Sequence, residues 1–313
     1  MMSQRRLILS FLILTLIFWV WFFSPPASFP IGETITISQG RTIAAVARDL
    51  AARRIIRWPL AFRAVLTLRP GPGFVVAGDY YFVKPSNVWE TAARLGRGDY
   101  GLAPIKVTFP EGASVREMAS ILEAALPDFD AAEFITAALP REGYLFPDTY
   151  FFQSSVGETE VISRLSDNFQ AKIKSFQPAI ARSGRTLGQI IIMASLVEEE
   201  ARLDEARRTI AGILWKRLDQ GMPLQVDAVF PYIAGKNTFE LDHRDLATSS
   251  PYNTYRLRGL PVGPITNPGL EAVSAVLNPI ETEYWYYLSD RYGQTHYAIN
   301  FDAHRSNKAK YLP

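Results

Sequence analysis

The first apolar stretch of the chain, residues 7–23, reads LILSFLILTLIFWVWFF and contains no charged residue. Its length lies at the lower end of the roughly 17 to 25 residues with which a helix crosses a bilayer. Arg5 and Arg6 come just before it, and the positive-inside rule keeps such basic residues in the cytoplasm. The pattern therefore predicts a transmembrane anchor over residues 7–23, a short cytoplasmic N-terminus over residues 1–6 and an outward-facing remainder.

A cleaved signal peptide is the alternative interpretation of this segment. Signal peptides have an apolar core of about 7 to 15 residues, followed by small residues at a cleavage site. Here the apolar run is longer, and the proline-rich sequence SPPASFP follows it. These two features favour a retained anchor.

Residues 24–32 form a short linker, and beyond it the apolar positions switch between the two periods of regular structure. ETITISQG alternates as in a half-buried strand, whereas TIAAVARDLAARRII carries apolar residues at helical spacing. GDYYFVKP then predicts a second strand, and NVWETAARLGRG predicts a helix that ends at a glycine. Together these elements predict a small βα module over residues 33–101.

The longer remainder, residues 102–313, mixes the same two patterns. IKVTFPEGASVREMASILEAAL reads as a strand, a glycine turn and a helix with Ser114 as its N-cap. A largely helical region follows, and the sequences EYWYYLSD and THYAINF near the end are strand-like. We therefore predict an α+β protein with an N-terminal transmembrane helix, a small module and a larger mixed α/β domain.

One predicted helix carries a carboxylate at the end of an apolar stripe. In its IIIMASLV portion only Ser195 is polar, so this helix should be buried. Steps of three and four residues lead from Leu187 through Ile191 and Ala194 to Glu198, which therefore continues the apolar face. Partial burial would raise the pKa of Glu198, as a general acid requires.

The neighbouring charges have an ordinary interpretation. We expect Glu199 and Glu200 to be solvated, and Asp204 and Arg208 to form an (i, i+4) ion pair. A run of three glutamates is also what a buried helix shows where it emerges into water. The spacing by itself therefore permits a catalytic Glu198 without requiring one.

Composition narrows the possible chemistry. The chain has 313 residues, with 33 basic and 31 acidic side chains and a net charge of +2, so no global field favours binding to nucleic acid. It has no cysteine, which excludes disulfides, thiolate metal sites and a cysteine nucleophile. Its three histidines, His243, His296 and His304, lack a helical zinc-ligand spacing. We expect no metal site.

Several sequence blocks of the longer remainder are long and unusual in composition. They are EGYLFPDTY at 142–150, ASLVEEE at 194–200, GMPLQVDA at 221–228, SPYNTYRLRGLPVGPITNPG at 250–269 and the closing THYAINFDAH. Together they resemble the YceG-like family of membrane-bound endolytic lytic transglycosylases. The resemblance covers nearly the whole chain, including the anchor and a LysM-like module over residues 33–101.

The resemblance implies a cofactor-free enzyme that cuts nascent peptidoglycan strands between MurNAc and GlcNAc and so ends their elongation. Glu198 would protonate the bond and then accept a proton from the sugar's own primary hydroxyl, leaving an anhydro-MurNAc end. The family also implies the bacterial inner membrane, a periplasmic catalytic part and partnership with peptidoglycan synthases. We expect the substrate-binding residues to be Gln225, Asp227, Tyr252, Asn253, Thr254 and Tyr255.

Two departures from the family pattern accompany the resemblance. Asp227 is retained after LQ, but its neighbours Val226, Ala228 and Val229 replace the usual residues, and His304 lies between unusual neighbours.

Two alternatives remain open from sequence: a muramidase that uses water, and a tethered peptidoglycan-binding scaffold without catalysis. A serine hydrolase is disfavoured because the chain lacks G-x-S-x-G.

Overall fold

The protein is represented by a computed structural model, which describes residues 2–68, 73–101, 103–236 and 241–312. The chain divides into two compact units. The first comprises residues 1–105 and 152–156, and the second comprises residues 106–151 and 157–313. Helices and short strands alternate through both units, so the predicted mixture of α and β structure is confirmed.

The first unit has four helices and two strands in its described residues. The strands β1 and β2 pair antiparallel, with Thr34 opposite Tyr81 and Ile37 opposite Gly78. Within the described ranges, no helix combines the length and the hydropathy that a membrane crossing requires. In chain order the elements are α1 (Met2–Phe23), β1 (Thr34–Ile37), α2 (Ile43–Ala52), α3 (Pro59–Leu68), β2 (Gly78–Tyr81) and α4 (Val88–Arg97).

Helix ends in this unit are set by local sequence signals. Thr42 caps α2 by accepting a hydrogen bond from the Ala45 N–H at 3.2 Å. Asn87 and Glu90 form a reciprocal capping box at the start of α4, and Gly98 ends that helix in the left-handed conformation, with φ at 68°. The helix predicted from NVWETAARLGRG is therefore confirmed, together with its glycine end.

The second unit is mainly helical and carries two small sheets in its described part. Strands β5 and β6 pair antiparallel, with Tyr286 opposite Ala298, and β3 pairs with β4. Its elements are β3 (Ile105–Thr108), α5 (Val115–Ala125), α6 (Ala131–Ala138), β4 (Thr149–Phe152), α7 (Glu158–Ile173), α8 (Gln177–Ser183), α9 (Leu187–Glu200), α10 (Asp204–Asp219), α11 (Val229–Ala234), α12 (His243–Leu246), α13 (Leu270–Leu277), β5 (Tyr286–Ser289), β6 (Thr295–Ala298) and α14 (Phe301–Tyr311).

Helix α9 forms the centre of this unit, packed against α10 and α13. Ile190, Met193, Leu196 and Val197 are each 0% exposed, and burying such a side chain contributes about 1.5–3 kcal/mol. The predicted burial of this helix is therefore confirmed. A helix enclosed in this way is a rigid support for the residues of its last turn.

Candidate active site

The last turn of α9 and the first turn of α10 face each other across a short connection. Ala201 ends α9 in an extended conformation, with φ at −152° and ψ at 146°. Arg207 lies in the early part of α10, and its Nε donates a hydrogen bond to the Ala201 carbonyl at 2.8 Å. The chain reversal therefore directs the Arg207 guanidinium back toward the end of α9.

Both carboxyl oxygens of Glu198 have partners in this junction. Its Oε1 lies 2.5 Å from Nη2 of Arg207, and its Oε2 accepts a hydrogen bond from the Gly269 N–H at 2.8 Å. The Glu198 side chain is only 4% exposed. The carboxyl group is therefore held in one orientation, with little freedom to sample solvent.

Burial raises the pKa of the Glu198 carboxyl, whereas the Gly269 N–H and Arg207 act to lower it. Glu111 and Glu271 add repulsion that raises this pKa further. The net direction is upward, as the apolar stripe led us to expect, and burial is its largest cause. A carboxyl with a raised pKa retains a proton to higher pH, which suits a general acid.

Arg207 is a residue that sequence reasoning missed. Its side chain is 8% exposed, and its Nη1 contacts Glu271 Oε2 at 2.7 Å, where Glu271 is 69% exposed. The neighbouring Arg208, which we had assigned to Asp204, instead donates from Nε to the Asn278 carbonyl at 2.9 Å. The expected Asp204–Arg208 pair is absent from the ion pairs of the described chain, because α10 presents Arg208 to the loop after α13.

The loop that supplies the Gly269 N–H is fastened to α9 by Ser195, the one polar residue of the IIIMASLV portion. Ser195 donates its hydroxyl to the Ile192 carbonyl at 2.8 Å and accepts a hydrogen bond from the Ile265 N–H at 3.1 Å. Thr266 donates to the Ser195 carbonyl at 3.4 Å. The lone serine of the apolar helix therefore serves to position the loop that precedes Gly269.

Asn267 connects the same loop to two other segments. It is 0% exposed, accepts a hydrogen bond from the Leu145 N–H at 3.0 Å and donates to the Ala113 carbonyl at 2.9 Å. It also donates to Glu142 Oε1 at 2.8 Å, and Glu142 accepts a further bond from the Val115 N–H. Burial raises the pKa of Glu142 to about 8. Glu142, the first residue of the block EGYLFPDTY, is thus part of this buried framework.

Glu111 approaches the site beside Gly269. A Cβ atom placed on Gly269 would lie 2.1 Å from the Glu111 carboxyl, so the glycine permits this approach. Glu111 is exposed and acts electrostatically on Glu198. A second carboxylate, which the sequence did not identify, therefore lies near the first.

Two of the predicted substrate-binding residues, Asn253 and Thr254, are 0% exposed. Asn253 donates to the carbonyls of Leu246 and Thr248 at 3.0 and 2.8 Å. Thr254 accepts from the Val226 N–H at 2.9 Å and donates to the Val226 carbonyl at 3.0 Å. Their polar atoms hold backbone segments together, which favours a scaffold role over contact with a sugar.

Backbone geometry links the other predicted residues to this scaffold. Gln225 has a positive φ of 53° and donates its N–H to the Thr254 carbonyl at 3.1 Å. Tyr252 is half-buried, and its ring centroid lies 5.0 Å from that of Tyr232. The two chain segments that sequence reasoning paired, around residues 225 and 254, therefore do come together.

Asp227 and Tyr255 form a second acidic centre beside α9. The Tyr255 hydroxyl donates to Asp227 Oδ1, and burial raises the pKa of Asp227. Burial and then the charge of Asp227 raise the pKa of Glu200 to about 7. Glu200 is half-buried beside Tyr287, so our expectation that it is solvated was wrong. Glu199, by contrast, is exposed as expected.

The acidic end of α9 therefore serves two separate clusters. Glu198 points to Arg207 and Gly269, whereas Glu200 points to the Asp227 cluster. Of the predicted substrate-binding residues, Asp227 and Tyr255 interact with Glu200, whereas Glu198 interacts with Arg207, Gly269, Glu111 and Glu271. Residues two positions apart on a helix are separated by about 200° around its axis, which accounts for the division.

The histidines occupy structural positions where the structure describes them. His296 Nε2 lies 2.9 Å from Asp290, and its ring stacks on Tyr311. His304 stacks on Tyr286, and burial lowers its pKa. Across the described ranges, no three acidic or histidine side chains are grouped as metal ligands would be.

Comparison with known proteins agrees with this architecture. The model of the YceG-like family matches residues 35–310. A protein from Bacillus subtilis named endolytic murein transglycosylase is 29% identical over 305 residues, covering 89% of this chain and 84% of that protein. A Streptococcus pneumoniae protein of the same name is 32% identical over 177 residues, which are 55% of this chain and 32% of that protein.

Among solved structures, the crystal structure of a yceG-like protein from Listeria monocytogenes matches with a TM-score of 0.59. The match covers 88% of this chain and 99% of that chain at 24% sequence identity, and it supports the fold. Because the family model spans most of the sequence, from the first strand to the last helix, the chain belongs to the YceG-like family.

Proposed function

We propose that the protein is an endolytic lytic transglycosylase that cuts murein glycan strands between MurNAc and GlcNAc, with Glu198 as its catalytic acid and base. The observation that carries the proposal is one enclosed carboxyl group, with a raised pKa, held between a backbone N–H and a guanidinium. Family membership and relatives named endolytic murein transglycosylase support the same reaction.

The chemistry needs one group that both donates and accepts a proton. Protonated Glu198 gives its proton to the glycosidic oxygen as the bond from the MurNAc anomeric carbon breaks, and Glu198 becomes a carboxylate. That carboxylate then takes the proton of the sugar's primary hydroxyl while the hydroxyl oxygen bonds to the anomeric carbon. The product is an anhydro-MurNAc end, and Glu198 is protonated again.

The substitution Glu198→Gln tests the assignment of Glu198 as the catalytic acid and base. We expect Glu198→Gln to abolish release of anhydro-MurNAc ends from purified sacculi, because the amide cannot supply the proton. Glu205→Gln is the matched control, since Glu205 is exposed at the start of α10, and it should cut at the wild-type rate. Mass spectrometry of the released fragments is the measurement.

The same digestion separates the competing functions. Reducing MurNAc ends in place of anhydro ends would identify a muramidase. Unchanged cleavage by Glu198→Gln would remove Glu198 from the mechanism. Binding of sacculi without any cleavage by the wild-type chain would leave a peptidoglycan-binding scaffold.

The substrate is also proposed to contact Gln225, Asp227, Tyr252 and Tyr255. Support comes from the half-buried position of Asp227, Tyr252 and Tyr255, which leaves part of each side chain accessible. Asn253 and Thr254 would act indirectly, by holding this loop in shape.

We further propose that residues 7–23 anchor the protein in the inner membrane and that the catalytic unit lies in the periplasm. Support comes from the uncharged sequence of this segment and from α1, where Phe11 is 70% exposed and Leu14 is 65% exposed. A LysM-like role for residues 33–101 and association with peptidoglycan synthases are part of the same proposal, since both would keep the enzyme on nascent strands.

A further inference from the structure

The guanidinium of Arg207 is fixed by three separate acceptors. Its Nε bonds the Ala201 carbonyl at 2.8 Å, its Nη1 contacts Glu271 at 2.7 Å and its Nη2 contacts Glu198 at 2.5 Å. The residue is 6% exposed. Arg207 is therefore in position before any substrate arrives, and its orientation does not depend on Glu198 alone.

We propose that Arg207 is a positioning residue that stabilises the carboxylate of Glu198 after its proton has passed to the leaving oxygen, and that Glu271 holds Arg207 for this task. The inference rests on the proposed function, because it concerns the same proton transfer. It adds a role for two residues that do not themselves touch the scissile bond.

The reason is the change of charge on Glu198 during the reaction. A protonated Glu198 gains little from a nearby cation, whereas the carboxylate formed in the transition state gains much more in an enclosed site. Arg207 and the Gly269 N–H are oriented toward the two oxygens on which this charge develops. An interaction that strengthens between ground state and transition state lowers the barrier.

The charges around Glu198 determine the direction in which each substitution shifts its pKa. Arg207 on α10 lowers the pKa of Glu198, while Glu111 before α5 and Glu271 on α13 raise it. Glu199, on the same helix, is coupled to Glu198 as well. Loss of Arg207 should therefore raise the pKa of Glu198, and loss of the Glu271 charge should lower it.

The experiment measures the rate of anhydro-MurNAc release against pH for the full-length chain in detergent. Because cleavage starts from protonated Glu198, the rate falls as pH rises through its pKa. In Arg207→Met this alkaline limb should move up by roughly one to three pH units, and the maximal rate should fall roughly 100- to 1,000-fold. Arg207→Lys should recover part of the rate, since it restores the charge without the three-point geometry.

Glu271→Gln supplies the opposite shift. The amide oxygen still accepts a bond from Arg207, but the charge is gone, so the alkaline limb should move down by less than about one unit at this exposed position. A purely structural Arg207 would lower the rate without moving the limb in either variant. Unshifted profiles in both Arg207→Met and Glu271→Gln would overturn the inference, and if Arg207→Met fails to fold, an unshifted Glu271→Gln profile does so alone.

The outcome is separable from that of the proposed function. If the wild-type chain releases no anhydro ends, the proposed function fails. If the wild-type chain releases them and the pH profiles of the variants coincide with its own, only the role of Arg207 fails. Thermal unfolding of each variant, followed by circular dichroism, shows which of them retain the fold.

Discussion

At the scale of single residues, the site depends on buried polar side chains that bind backbone. Asn267 joins three segments, Asn253 closes the loop that follows α12, and Thr254 fastens that loop to Val226. Each is fully buried, and each would leave a backbone group without a partner if replaced by an apolar residue. Their contribution to function is therefore to set the shape of the loops around the carboxylates.

The titration of Glu142 should make the free energy of unfolding depend on pH. Its pKa is about 8 in the folded chain against an ordinary value of 4.5. Because the folded pKa is the higher one, its favourable contribution is complete below pH 4.5 and is lost as pH rises through about 8. We expect the free energy of unfolding to fall by up to about 1.4 kcal/mol per pH unit in this window from Glu142 alone.

Glu142→Gln removes that titration. The variant should gain stability relative to the wild type as pH rises from 5 to 8, by about 1.4 kcal/mol per unit at most. Urea denaturation at several pH values measures the difference. Glu123→Gln, at an exposed position on α5, should follow the wild-type pH dependence. A Glu142→Gln curve parallel to the wild-type curve would show that Glu142 is ionised in the folded chain.

At the scale of elements, α9 is the support on which both acidic clusters are built. Its apolar faces pack against α10 and α13, and its capping box of Thr186 and Gln189 fixes where the helix begins. Its last turn then directs Glu198 and Glu200 to different neighbours. Movement of α9 along its axis would displace both carboxyls together.

The substitution Ser195→Ala tests whether α9 holds the loop that carries Gly269 in place. Ser195→Ala leaves the buried Ile265 N–H without its acceptor, which should cost about 1–3 kcal/mol of unfolding free energy. The loosened loop should also lower the rate of glycan cleavage. Ser120→Ala is the control, because that exposed hydroxyl bonds only the Arg116 carbonyl of its own helix, and it should change stability by less than about 0.5 kcal/mol.

Urea denaturation and initial cleavage rates of the two variants provide the comparison. A Ser195→Ala protein with wild-type stability and rate would show that the loop is held without this hydrogen bond. The Ser120→Ala control shows how much of any effect comes from the loss of a serine hydroxyl on a helix.

At the scale of the whole molecule, the first segment is the part of the sequence on which the proposed membrane location rests. The apolar run over residues 7–23 is followed by a linker with Pro25, Pro26 and Pro30. A retained anchor keeps the catalytic unit near newly made strands at the membrane, whereas a cleaved signal peptide would release it into the periplasm. These two arrangements differ in one measurable property, the attachment of the mature chain.

We expect the full-length protein to remain in the membrane fraction after washing with high salt and alkaline carbonate, and to be extracted by detergent. The reason is the free energy of placing an uncharged apolar helix in hydrocarbon. Deletion of residues 1–24 behind a cleavable export signal should release the protein into the periplasmic fraction. A wild-type chain that is recovered there, shortened at its N-terminus, would support the cleaved signal peptide.

The sequence by itself determined the features that depend on neighbours along the chain. A terminal glycine marked the end of α4, an apolar run identified α9, and the apolar stripe singled out Glu198, because each of these signals acts over a few residues. Family resemblance identified the loops of residues 221–228 and 250–269.

Only the tertiary structure decided which side chains complete the site. Gly269 lies 71 positions from Glu198, and no local pattern links them. The burial of Glu200 and the inward turn of Asn253 and Thr254 depend on packing by distant segments. Residue type alone does not distinguish a sugar ligand from a backbone anchor, because both use the same hydrogen-bonding groups.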